Sequence, residues 1–126
     1  MRELVLLIGL VVSNPATAQA EVKRLADLWP ALTECWNPPP SLDPLEATVR
    51  FSLNRAGEII GTPAITYASL GDDENTQRAF IRSVLLALAQ CTPVSLSQSF
   101  AEAFAGKPVT IRFRWGKRGK TALNAS

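Results

Sequence analysis

"ATVRFSLN", residues 47–54, is followed at once by "RAGEIIGTPAITY", residues 55–67. In the first run Val49, Phe51 and Leu53 alternate with Arg50, Ser52 and Asn54. That period of two predicts a strand with one face buried and the other in water. Asn54 to Gly57 supplies turn residues, among them a glycine able to take positive φ. The apolar stretch from Ile59 through Ala64 and Ile65 to Tyr67 then returns as a second strand, which makes a hairpin. Pro63 has no amide to give to a ladder, so an edge position or a bulge is expected there.

Downstream of the hairpin the period changes. "GDDEN", Gly71 to Asn75, precedes "TQRAFIRSVLLALAQ", in which Phe80, Ile81, Val84, Leu85 and Leu88 form a broad apolar helical face. Arg78 and Arg82 lie one turn apart on another face, and Glu74 is spaced to pair with Arg78. The acids at the start suit the positive end of the helix dipole. A calcium loop is the rival reading of Asp72, Asp73 and Glu74, but its alternating ligands and central glycine are missing. A polar linker with Ser95, Ser97 and Ser99 follows, then Phe100 and Phe104. "GKPVTIRFRW" supplies a third strand, with Val109, Ile111, Phe113 and Trp115 alternating with Thr110, Arg112 and Arg114.

Upstream, Val22, Leu25, Trp29 and Leu32 recur at helical spacing over Glu21 to Leu32, with Pro30 set to kink the helix or divide it. "CWNPPP", Cys35 to Pro40, ends that helix, because three prolines remove donors and bias their predecessors to extended backbone. "QCTP", Gln90 to Pro93, ends the longer helix in the same way. Both cysteines thus stand at helix exits. A bond between Cys35 and Cys91 would clamp the two helices on one side of the sheet; a redox role or two free thiols are the alternatives. Trp36 is placed either to cover the bridge or simply to pack in the core.

The beginning of the chain bears on those alternatives. Met1, Arg2, the apolar run Leu4 to Val12 and the small-residue stretch ending Ala18-Gln19-Ala20 have the pattern of a cleaved export signal. The run is short of the ~20 residues that cross a bilayer. The expected organisation is a signal peptide at 1–20, one domain at 21–116 and a basic flexible tail at 117–126. In an oxidising compartment two cysteines most simply pair. Composition agrees with an ordinary globular domain, 47% of residues being apolar. A net charge of +2 is too small to imply nucleic acid as a partner.

"CWNPPP", the hairpin "VRFSLNRAGEIIGTP", the helix ending "AQCTP" and "FAGKPVTIRFR" occur in an order that resembles the C-terminal periplasmic domains of TolA and, more distantly, TonB. The resemblance covers roughly Leu25 to Trp115. It implies an α+β domain with a three-stranded antiparallel sheet packed against helices. It also implies a periplasmic module that binds envelope proteins by edge-strand addition, a TolB-like or receptor peptide being the kind of partner expected. The expected signal leads almost directly into the domain, with no room for the family's stalk, so a soluble TolA-like domain that keeps the binding surface without the transmission arm is expected.

No catalytic function is expected: the chain has no histidine and no glycine-rich phosphate loop. Asp43 with Glu46 and Asp72 with Asp73 are the near carboxylate pairs, and solvated or capping acids are the default reading of both. No cofactor or metal is expected. The partner-binding residues expected from the last strand are Val109, Thr110, Ile111, Arg112, Phe113, Arg114 and Trp115, whose free backbone would take an extended peptide. Arg112 and Arg114 share a face that would favour an acidic segment, or simply guard a strand edge against aggregation. The alternative function is binding of anionic lipid or other envelope polyanions through Arg112, Arg114 and the tail from Lys117 to Lys120.

Overall fold

The computed structural model describes residues 21–41, 43–116 and 119–124. The expected export signal, residues 1–20, lies outside them. The order of elements is α1 (Leu25–Thr33), β1 (Leu45–Leu53), β2 (Ile59–Ser69), α2 (Glu74–Cys91), α3 (Gln98–Phe104), β3 (Pro108–Gly116) and β4 (Gly119–Asn124). All pairings in the sheet are antiparallel, and its order is β2-β1-β3-β4. The fold is α+β, with the three expected strands in one sheet and a fourth added.

The alternation read from the sequence sets the two faces of the sheet. Leu45, Ala47, Val49, Phe51 and Leu53 of β1 and Val109, Ile111 and Phe113 of β3 are buried on one face, under the helices. On the other face Glu46, Arg50 and Ser52 stand beside Thr110, Arg112 and Arg114, with the register Glu46↔Arg114 and Thr48↔Arg112. Thr48 is buried between its cross-strand neighbours Tyr67 and Arg112. Glu46 lies 3.2 Å from Arg112 Nε and 3.3 Å from Arg114 Nε. The Arg112 Nε contact is an ion pair without hydrogen-bond alignment.

α1 is shorter at its start than the spacing predicts. Val22 is extended and forms a bridge with Leu96, its amide donating to Ser95 O and its carbonyl accepting from Ser97 N. The Asp27 carboxylate sets the start by accepting from the Lys23 and Arg24 amides at 3.0 and 3.2 Å. The helix passes through Pro30 as one segment. The bond lost there belongs to the carbonyl of Ala26, an exposed residue that water can serve.

α2 starts at an Asp73 cap that accepts from the Thr76 amide at 2.8 Å, so the acids serve the helix start as expected. The expected Glu74–Arg78 pair does not form; Arg78 donates instead to Asn75 Oδ1, one turn back, at 3.1 Å. The disulfide Cys35–Cys91 is formed and joins the exits of α1 and α2, which also pack on each other. Trp36 is wholly buried as core. Its ring meets Phe113, Phe80 and Trp29 edge to face, and its Nε1 donates to Ser83 Oγ at 3.0 Å.

Two elements were not expected. The serine-rich linker contains α3, capped by Ser97 accepting from the Phe100 amide, with Phe100 and Phe104 stacked one turn apart. The segment expected to trail as a flexible tail contributes β4, which pairs with β3 from Ile111↔Asn124 to Gly116↔Gly119. Lys117, Arg118 and the last two residues lie outside the described residues.

Candidate partner-binding edge

Strand addition needs a strand with one row of amides and carbonyls unpaired. β3 is not such a strand. Val109 to Trp115 pair with β1 along their whole length, and β4 covers the other side from Ile111 onward. The free edge expected at Val109, Thr110, Ile111, Arg112, Phe113, Arg114 and Trp115 is therefore corrected. The alternating residues after Lys107 do form the strand, but the chain returns on itself and occupies the edge. Ile111 and Phe113 are core residues, and Arg112 and Arg114 are taken up by Glu46.

The edges of the described sheet are β2 and β4. β2 is the longer, with 11 residues against 6. Its sequence, "IIGTPAITYAS", contains no charged residue. Most natural edges are blunted by charge, proline or bulges. In β2 those devices sit in the first half: Gly61 has φ +74, Pro63 has no amide, and the register shifts opposite Arg50–Ser52. Pro63 is thus both at an edge and in an irregular stretch, as the sequence predicts. From Ala64 to Ser69 a single further shift, between Thr48 and Val49, is the only irregularity.

Beside this edge lies the outer side of α2. Ile59 and Ile65 turn inward to the core cluster, whereas Ile60 and Tyr67 are about half exposed on the open face. On the helix, Val84 and Leu88 are buried, but Leu85 and Leu86 remain exposed. One apolar groove runs between Ile59, Gly61, Thr62 and Pro63 on one side and Leu85, Leu88, Ala89, Thr92 and Pro93 on the other. A second runs from Leu70 along Gln77, Ile81, Leu85 and Leu86, bordered by Arg78 and Arg82. Leu85 belongs to both, so the grooves adjoin there as one apolar trough, bounded by Ile59, Gly61, Thr62 and Pro63 at the start of β2 and by Leu70 just past its end.

The carboxylates weighed as acid–base candidates are placed otherwise. Glu46 is held by two arginines, and Asp43 is in the exposed loop before β1. Asp73 is the cap of α2, its carboxyl held below the usual range by hydrogen bonds from the Thr76 side chain and amide. No group of three metal-ligating side chains occurs among the described residues. No helix among them is long and apolar enough to cross a membrane.

These features define a small disulfide-linked α+β domain whose longer sheet edge, β2, is uncharged and adjoins an apolar trough. The model of the family described as Uncharacterised conserved protein UCP034077 matches residues 18–117, and the chain belongs to that family. No curated protein and no solved structure matches the chain.

Proposed function

We propose that this protein is a periplasmic protein-binding module of the cell envelope, similar in role to the C-terminal domain of TolA, and that it takes its partner by strand addition at β2. The observation that carries the reading is the long uncharged edge from Ile59 to Ser69, with apolar grooves of α2 at its start and just past its end at Leu70. An added strand would satisfy the outward amides and carbonyls of Ala64 to Ser69. Every second side chain would rest on Leu85 and its neighbours, burying apolar surface that now faces water. The disulfide supports an oxidising compartment, which agrees with the export signal read at residues 1–20. The exposed carboxylates, placed as caps and ion pairs, favour binding over catalysis. The polyanion alternative is weakened by Glu46, which takes up the charge of Arg112 and Arg114.

A photo-crosslinking residue at position 67, on the β2 edge, tests the reading against the same residue at position 103, exposed on α3. In envelope preparations position 67 should give a discrete adduct with one protein that position 103 does not. Identical adducts from both positions, or adducts with lipid alone, would overturn it.

A further inference from the structure

The trough beside β2 is apolar but not electrically neutral. α2 carries two basic residues, Arg78 and Arg82, and its single acid, Glu74, is at the first turn. Arg78 is partly balanced, since it donates to Asn75 and its charge helps to hold the Asp73 carboxyl ionised. Arg82 makes no ion pair or side-chain hydrogen bond among the described residues. It borders the groove formed by Leu70, Ile81, Leu85 and Leu86, and no acid lines that groove. At the opposite end the groove beside Ile59 carries Glu58, whose Oε1 accepts from Asn54 Nδ2 at 2.9 Å. Of the side chains that line the trough, the charged ones are thus Arg78 and Arg82 toward the end of β2 and Glu58 at its beginning, the acids Asp72 to Glu74 at the start of α2 not being among them.

This polarity bears on what the edge can accept. Every pairing in the sheet is antiparallel, and a strand added to β2 in the same sense would begin beside Ser69 and end beside Ile59. Its N-terminal end would lie next to Arg78 and Arg82. Its helix-facing side chains, alternating along the strand, would meet Leu86, Leu85 and then the floor at Leu88 and Ala89. Resting on the strand edge of β2, we propose that the partner segment is an extended antiparallel peptide with apolar residues at alternate positions and a carboxylate at its N-terminal end, paired with Arg82. A carboxylate at the other end would meet Glu58 and be repelled. The groove thus selects both composition and direction.

Short synthetic peptides test this with the purified protein. The probe carries glutamate and then valine and leucine at alternating positions, with threonine between them. One control reverses the sequence, and another replaces glutamate by lysine. Affinity is read by fluorescence anisotropy, and strand addition by slowed amide exchange at residues 64–69. The probe should bind with those amides protected. Arg82→Glu should weaken it by about tenfold or more, and the lysine peptide should regain that loss on the variant, as an ion pair in a partly desolvated groove requires. Arg82 is exposed, so the variant should keep the fold, which its circular dichroism checks.

Protection of the β2 amides with no dependence on Arg82, or equal binding of the reversed peptide, would overturn the charge assignment and leave the strand edge standing. Failure of every peptide to protect residues 64–69 would overturn the edge reading and this inference together. Outward amides of residues 64–69 already protected without peptide, in a protein of doubled mass, would mean that a second copy fills the edge and would overturn the inference as well.

Discussion

Reducing the Cys35–Cys91 bond should lower stability by an amount that can be worked out before the experiment. The bond closes a loop with a sequence separation of 56 residues. On the chain-entropy relation such a loop restrains the unfolded chain by about 4 kcal/mol. A domain of this size has roughly 5–15 kcal/mol in all, so the bridge is a large part of it. At about 4–8 °C per kcal/mol for a chain of about 100 residues, reduction should lower Tm by roughly 15–30 °C. Thermal unfolding followed by circular dichroism, with and without reductant, reads this directly.

A Cys35→Ala/Cys91→Ala variant separates the cross-link from packing. Cys91 is only 3% exposed, so removing its sulfur leaves a small void. The double variant should therefore fall about 1 kcal/mol below the reduced protein. Because the bridge ties α1 to α2, amide exchange after reduction should quicken in α1 before the sheet. A Tm drop of less than about 5 °C on reduction would refute the loop-closure reasoning.

At Gly57, φ is +82 and an added Cβ would overlap the carbonyl oxygen of Val94. Gly57→Ala should therefore unfold the protein or cost more than about 3 kcal/mol in urea titration, whereas Gly61→Ala, at φ +74 with open space around it, should cost only about 1–2 kcal/mol. The folded protein holds the Asp73 carboxyl below its ordinary 3.8 through bonds from the Thr76 side chain and amide, and Asp27 below the same value chiefly through the Lys23 amide. Their contribution is present above 3.8 and is lost as the pH falls through and below it, so acid unfolding should be blunted in Asp73→Asn, measured by Tm against pH. Glu46→Ala should cost no more than about 1 kcal/mol, since both arginine partners are more than a third exposed, and should make heparin retention rise as Arg112 and Arg114 are released.

The elements that could be read from the chain are those whose side chains carry a complete pattern. β1 has five buried residues at alternate positions from Leu45 to Leu53, and α2 has its buried stripe from Phe80 to Cys91 with a capping aspartate in front. α3 was less legible. Its signals are Ser97 as cap and the stacked pair Phe100 and Phe104, spread over only 7 residues within a serine-rich run. A helix this short is stable only through packing, here through the burial of Phe100 and Ala101. The candidate edge was misplaced for a related reason: whether a strand is an edge depends on its neighbours, and alternation at Val109 to Trp115 says nothing of what lies beside it. The trough was half visible, in that Leu85 continues the apolar face of α2 beyond what a core needs.

The sequence by itself determined the strand and helix segments, the hairpin turned at Asn54 to Gly57 and the two helix exits at which the cysteines stand, because each rests on local dihedral preferences or periodicity; the pairing of the cysteines was the simplest of the readings it left open. Tertiary structure alone decided that Val22 leaves the helix to bridge Leu96, that residues 119–124 close one side of β3, and that β2 is left as the long open edge. These depend on backbone groups finding partners across the chain, and a backbone amide is the same in every residue but proline, so no side-chain pattern announces where its bond will go.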